Sequence, residues 1–182
     1  MTSCFKLSTL GILSAIVMSG CSTSPTSPQV QKEVITINSV SPNGIGERIG
    51  TISLQDSQNG LVISTDLSSL PPGPHGFHIH EKGSCEAAEK DGKMVAALAA
   101  GGHYNPHKVN HHGNPTTGHL GDLPLLNVEN NGVAKVTLIA PRLTLNEVKG
   151  LAIMIHAGGD NYSDDPKPLG GGGDRIACGV IN

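Results

Sequence analysis

The stretch Leu125-Leu126-Asn127-Val128-Glu129-Asn130-Asn131-Gly132-Val133-Ala134-Lys135-Val136-Thr137-Leu138-Ile139 decides the fold class. Two apolar runs, Leu125–Val128 and Val133–Ile139, flank Asn130-Asn131-Gly132. Asn and Gly accept the left-handed backbone that a tight hairpin turn demands, so this spacing predicts a β-hairpin. Working outward gives more of the same. Asn59-Gly60 precedes Leu61-Val62-Ile63-Ser64, Val34-Ile35-Thr36-Ile37 opens a strand, and Ile49 to Leu54 forms another with Gly50 as a bulge candidate. Leu151 to His156 and Arg175 to Ile181 complete the set. Twenty-four Gly and twelve Pro among short apolar runs argue against a helical bundle. The pattern predicts an all-β chain, a Greek-key barrel or sandwich of about eight antiparallel strands.

With 182 residues, 37% hydrophobic and 15% charged, the chain is one domain's worth of ordinary globular sequence. Aromatics are only 2% with no Trp, so the core must be aliphatic. A formal charge of −3 offers no basic excess to release phosphate counterions, which excludes nucleic acid as a partner. Nine His among fifteen acidic residues point to metal.

The N-terminus reads as an export signal. Lys6 supplies the positive end, and Leu7 to Met18 is too short for a span that needs about 20 helical residues. Met18-Ser19-Gly20-Cys21 resembles the lipobox of bacterial lipoproteins, in which Cys21 is lipidated and becomes the mature N-terminus. The polar, Pro-containing segment that follows reads as a tether. The expected organisation is therefore signal 1–20, tether 21–33 and a single folded domain 34–182. With Cys4 in the signal and Cys21 as anchor, Cys85 and Cys178 remain. A pair in an exported protein is most simply a disulfide.

Two stretches, Ser84 to Asp122 and Gly158 to Gly173, carry no strand pattern. Loops this long are usually functional, and the first is dense in ligand-type side chains. In Gly76-Phe77-His78-Ile79-His80-Glu81, a strand turns His78 and His80 to one face, about 6–7 Å apart, and Phe77 and Ile79 to the core. In Leu151 to His156, the aliphatic face is Leu151, Ile153 and Ile155, and His156 lies opposite. His103, His107, His111, His112, His119 and Asp122 form the remaining cluster. Imidazoles with one carboxylate suit zinc, and an all-imidazole set suits copper.

Four motifs, in order along the chain, resemble the copper–zinc superoxide dismutase family in its bacterial exported form. They are Gly76 to Glu81, Gly101-Gly102-His103-Tyr104-Asn105-Pro106, Gly118-His119-Leu120-Gly121-Asp122, and Gly171 to Val180 with Asp174-Arg175-Ile176-Ala177-Cys178 inside it. The resemblance covers roughly Val34 to Asn182. It implies one copper held by His78, His80, His103 and His156, and one zinc held by His103, His112, His119 and Asp122. His103 bridges the two ions. Asp160 links a copper ligand to a zinc ligand, Arg175 stands above the copper, and Cys85–Cys178 is the family disulfide. For zinc the bacterial spacing selects His112, with adjacent His111 as its rival. His107 and His111 read as exposed loop residues, and His75 as a structural histidine.

The implied activity is disproportionation of superoxide, with Arg175 and His103 as the catalytic side chains. The expected location is the periplasm, with membrane contact only through a lipid on Cys21, as monomer or homodimer. Because the net charge does not favour an anion, attraction must be local, and Lys82, Lys90, Lys93 and Lys167 are the candidates. A copper-buffering or copper-delivery protein and a zinc hydrolase are the alternatives. The first is disfavoured by the complete copper set with Arg175, the second by a zinc set that leaves no open position.

Overall fold

The computed structural model describes residue 1 and residues 31–182. The expected signal segment, Cys21 and nearly all of the tether lie outside the described residues. The strands are β1 (Lys32–Ser41), β2 (Gly44–Ser57), β3 (Gly60–Leu67), β4 (Gly73–His75), β5 (Phe77–His80), β6 (Ala88–Lys90), β7 (Lys93–Val95), β8 (Leu126–Val128), β9 (Thr137–Ala140), β10 (Ala152–His156) and β11 (Arg175–Val180). Seven of them make one curled antiparallel sheet in the order β5-β10-β11-β1-β2-β3-β9. β4 pairs with β8 and β6 with β7 in separate two-stranded ribbons. The main sheet follows from period-two burial: Ile35 and Ile37 on β1, Ile52 and Leu54 on β2, and Leu61 and Ile63 on β3 point inward while their neighbours face out. The core is aliphatic as expected, with Phe77 its one aromatic among the fully buried side chains.

The bulge expected at Gly50 falls beside it. Ile37 pairs with Gly50 and Asn38 with Arg48, so Ile49 is the extra residue. Gly50 has φ 147°, and a Cβ there would meet the Asp66 carbonyl oxygen at 2.1 Å, so no other residue fits.

Three expectations are corrected. The Leu125–Ile139 hairpin is not a hydrogen-bonded pair of strands. Its turn closes through the Glu129 N–H on the Val133 carbonyl at 2.8 Å, but then the arms part. β8 joins β4, and β9 joins β3 as an edge of the main sheet. Both arms bury apolar residues, and the better partners for them are long-range strands; local turn chemistry does not set pairing beyond the turn. Second, β1 begins at Lys32, with Lys32 opposite Gln55 and Glu33 opposite Leu54, so these two residues belong to the sheet and not to the tether. Third, the long loop after Ser84 contains the β6–β7 hairpin, turned at Asp91-Gly92 with both residues at positive φ. Asp-Gly is the same turn signal as Asn-Gly, present in the sequence but masked by short, charged flanks.

Cys85 and Cys178 form the disulfide, with Cα atoms 5.7 Å apart across 93 residues of chain. It fastens the start of the long loop to β11. Around it, Ala96, Ala97, Ala100, Ala152 and Met154 form a second, smaller apolar cluster. β10 therefore carries Ile153 and Ile155 to the main core and Ala152 and Met154 to this one.

Candidate metal centre

β5 presents Phe77 and Ile79 to the main core, and His78 and His80 to the opposite side, where they too are buried. The two imidazole centroids stand 6.4 Å apart. β10 runs antiparallel beside β5, with Met154 opposite His78. His156, two residues on from Met154, lies on the same side by alternation, and the register shift opposite it leaves Ile176 of β11 as the extra residue.

The other edge of β5 is covered by the long loop, and backbone bonds do the work. Tyr104 N–H donates to the Ile79 carbonyl at 2.8 Å, Ile79 N–H to the Gly121 carbonyl at 2.9 Å, and Leu123 N–H to the Phe77 carbonyl at 3.2 Å. This stitching brings His103 beside His80 and Asp122 beside His78 as isolated bridges. Ligand-type residues far apart in sequence thus converge because a loop completes the free edge of a strand.

Two buried groups result. His78, His80, His103 and His156 can each offer one atom within 4.8 Å of the others, and so can His78, His103, His112 and Asp122. His103 belongs to both. It meets Asp122 Oδ1 through Nδ1 at 2.9 Å, which leaves Nε2 for the four-histidine group. His78 also falls in both groups, a position the sequence did not assign it, because its ring stacks on His103 with centroids 4.0 Å apart. His119 stands at the margin of the second group, its Nδ1 3.5 Å from Asp122 Oδ1. His112 is buried and lies inside, whereas His111 and His107 are exposed. His75 has both ring nitrogens at 2.7 Å from carbonyls of Pro71 and His156, with no atom left for an ion.

Asp160 spans the two groups. Its Oδ2 accepts from His78 Nε2 at 2.7 Å and its Oδ1 from His112 Nε2 at 2.8 Å. Oδ1 also accepts the Tyr162 N–H at 2.7 Å. Asp122 Oδ2 is held by the N–H groups of Gly113 and His119 at 3.0 and 2.8 Å. Both carboxyls lie well below the usual carboxylate range: burial opposes ionisation, but these imidazole and backbone donors outweigh it.

The histidines separate by environment. Burial, then the neighbouring His103, pushes His78 down to about 3. Burial pushes His156 down to about 4, with His103 and Arg175 adding to it. His80 is lowered for the same reasons. His112 goes the other way. Burial pulls it down, yet Asp122 and Asp160 on either side raise it to about 9.

These environments fit two different ions. His78 Nδ1 and His119 Nδ1 are buried with no hydrogen-bond partner, a costly arrangement unless something else uses their lone pairs, and His112 Nδ1 faces Asp122 Oδ1 at 3.1 Å. In the four-histidine group burial holds His78, His80 and His156 neutral, and the group carries no carboxylate of its own, which suits copper. The second group holds a carboxylate among imidazoles and is short of positive charge, which a zinc ion supplies.

Arg175, half-buried at the start of β11, donates to the carbonyls of Ala97 and Gly101. The Gly101 carbonyl also meets His80 Nδ1 at 3.0 Å. Burial lowers this guanidinium, which nevertheless stays cationic in proteins. Lys82, Lys90, Lys93 and Lys167 are all exposed. Sequence reasoning missed Asp164, whose carboxylate accepts the backbone N–H of His112 at 2.9 Å and of Leu169 at 3.0 Å, joining the two long loops. It also missed Glu81, whose Oε1 accepts the Gly102 N–H at 3.1 Å. Neither carries a spacing signal, since their partners are backbone groups.

The family described as copper/zinc superoxide dismutase (SODC) matches residues 48–181. The superoxide dismutase [Cu-Zn] of Escherichia coli strain K12 is 51% identical over 178 residues, covering 97% of this chain and 99% of its own. Among solved structures, the Cu/Zn superoxide dismutase from Brucella abortus superposes with a TM-score of 0.82 at 47% identity, over 84% of this chain and 100% of that one. The monomeric copper, zinc superoxide dismutase from Salmonella enterica gives 0.76 at 54% identity, with the same coverage.

Proposed function

Since this chain belongs to the copper/zinc superoxide dismutase family, we propose that His78, His80, His103 and His156 hold its copper and that His103, His112, His119 and Asp122 hold its zinc. The activity is the disproportionation of two superoxide ions and two protons to dioxygen and hydrogen peroxide. Bound copper supplies a one-electron cycle, oxidising one superoxide and reducing the next, while zinc keeps one valence.

The protein's own residues do the rest. Arg175 attracts the anion and docks it, its guanidinium held in place by two backbone carbonyls. His103 holds a proton at Nε2 in one half of the cycle and hands it to the departing peroxide in the other. Asp160 fixes the orientation of His78 and His112 by accepting a hydrogen bond from the Nε2–H of each, which turns Nδ1 of each towards its ion. The exposed lysines of the loops, Lys82, Lys90, Lys93 and Lys167, add local attraction that the net charge does not.

The envelope is the proposed site of action, with a lipid on Cys21 as anchor and the folded part from Lys32 onward as the catalytic domain. The supporting features are the Lys6-to-Cys21 sequence and the disulfide, which an exporting compartment favours. A monomer is the proposed form, by analogy with the Salmonella enterica structure.

The observation that carries the catalytic reading is the buried four-histidine group beside Arg175. Superoxide decay catalysed by the protein loaded with one copper and one zinc, compared with its copper-free form, tests it. A fast, copper-dependent rate that falls with added salt and on Arg175→Ala is expected. Tight copper binding without acceleration would leave a copper carrier and overturn the catalytic roles.

A further inference from the structure

Arg142 lies just past the edge strand β9, between buried Ala140 and Leu143, so its backbone is anchored in the core. Its guanidinium reaches out of the sheet into the turn that carries His119. Nε donates to the Pro115 carbonyl at 2.7 Å, Nη1 to the Gly118 carbonyl at 3.0 Å and Nη2 to the His119 carbonyl at 2.7 Å. No carboxylate pairs with it among the described residues. All three faces of the fork are therefore spent on backbone oxygens within one five-residue turn.

That turn needs an external hold. Residues 113–118 carry no strand or helix, and their internal bonds all converge on Asn114, whose carbonyl accepts the Thr117 and Gly118 N–H groups and whose side chain accepts from Thr116. The His119 carbonyl that Arg142 grips also accepts the Asp122 N–H at 3.1 Å. His119 N–H in turn donates to Asp122 Oδ2. Arg142 thus fixes the backbone from which two of the proposed zinc ligands project, without touching a ligand atom.

We propose that Arg142 is a positioning residue for the zinc site, a cationic clamp that holds the His119–Asp122 turn at the spacing zinc requires. The inference rests on the zinc assignment made above. A planar fork with donors in three directions fits the task; a lysine has one ammonium and cannot reach three divergent carbonyls, and a glutamine has a single amide. Partners that orient metal ligands are worth about 10- to 100-fold in metal affinity.

The test compares R142Q, R142K and, as an exposed control on β2, R48Q, in the intact protein. Zn²⁺ affinity is read by competition with a chromogenic chelator, and site geometry by the visible bands of Co²⁺ bound in place of zinc. R142Q is expected to weaken zinc about 10- to 100-fold and to shift the cobalt bands. R142K should retain the charge and fold but recover only part of the loss, and R48Q should match the parent. A cobalt spectrum and zinc affinity unchanged in R142K, with R142Q either unchanged or unfolded, would overturn the clamp. His119→Ala separates this from the site reading itself: were its cobalt spectrum the same as the parent's, the zinc assignment would fail, whatever Arg142 does.

Discussion

Gly170 and Gly171 are adjacent, both at positive φ, yet replacing each by alanine has a different expected outcome. Gly171 has φ +79°, and a Cβ there meets nothing nearer than the Lys167 side chain at 3.6 Å. Gly171→Ala therefore carries only the left-handed backbone cost, about 1–2 kcal/mol. Gly170 has φ +70°, but its Cβ would stand 1.9 Å from Asp160 Oδ1 and 2.9 Å from His112 Nε2. Ordinary contact would need well over 1 Å more room, which the 2.8 Å His112 bond and the 2.7 Å Tyr162 bond to that oxygen cannot yield without breaking. Loss of the charged hydrogen bond adds about 1.5–3 kcal/mol to the backbone cost. With Asp160 displaced, zinc affinity should fall about 10- to 100-fold. Urea unfolding of the metal-free variants and zinc competition on the same samples separate the two effects. Both variants should lose stability, and only Gly170→Ala should lose zinc. Equal zinc affinity in the two would refute the role given to Asp160.

Three further outcomes follow from burial, linkage and the disulfide. In the metal-free protein, His78 and His156 titrate near 3 and 4, so the unfolded chain binds more protons than the folded one below about 6.5. Stability contributed by their neutral forms is complete above pH 6.5 and lost as pH falls towards 4, and urea midpoints at pH 7 and pH 5 should show the decline. His112, raised to about 9, contributes with opposite sign; its share is complete below pH 6.5 and disappears as pH rises through 9. Phe77→Ala empties a fully buried position under both β5 histidines and should cost about 3–5 kcal/mol in urea unfolding. Replacing Cys85 and Cys178 together by Ser should cost about 2–4 kcal/mol; an unchanged midpoint would mean that the Cys85–Cys178 link constrains little.

Much of the site was legible because it sits on strands. His78, His80 and His156 declare themselves by alternation, which fixes the face without any knowledge of the partner strand. His103, His112, His119 and Asp122 came from family motifs, since their convergence depends on loop backbone bonding to the edge of β5, and no periodicity encodes that. The Leu125–Val128 and Val133–Ile139 arms show the opposite limit. The turn forms where Asn130-Asn131-Gly132 predicts it, with Gly132 alone of the three at positive φ, but strand partners are chosen by burial across the whole sheet. Arg142 and Asp164 were illegible in principle, because they act on carbonyls and N–H groups, which every residue has.

The order of strands carries a consequence for biosynthesis. β11 is the last strand among the described residues, yet it lies in the middle of the sheet, between β10 and β1. Until it inserts, the β5–β10 pair has no hydrogen-bonded connection to β1, β2, β3 and β9, and the guanidinium of Arg175 is not in place. A chain still emerging, or truncated before residue 175, holds the histidines but not the finished frame around them. Pairing of β1 with β11, far apart in sequence, also places this fold among the slow, high-contact-order ones. Assembly of the redox centre therefore waits on the insertion of β11 and is closed by the bond between Cys85 and Cys178.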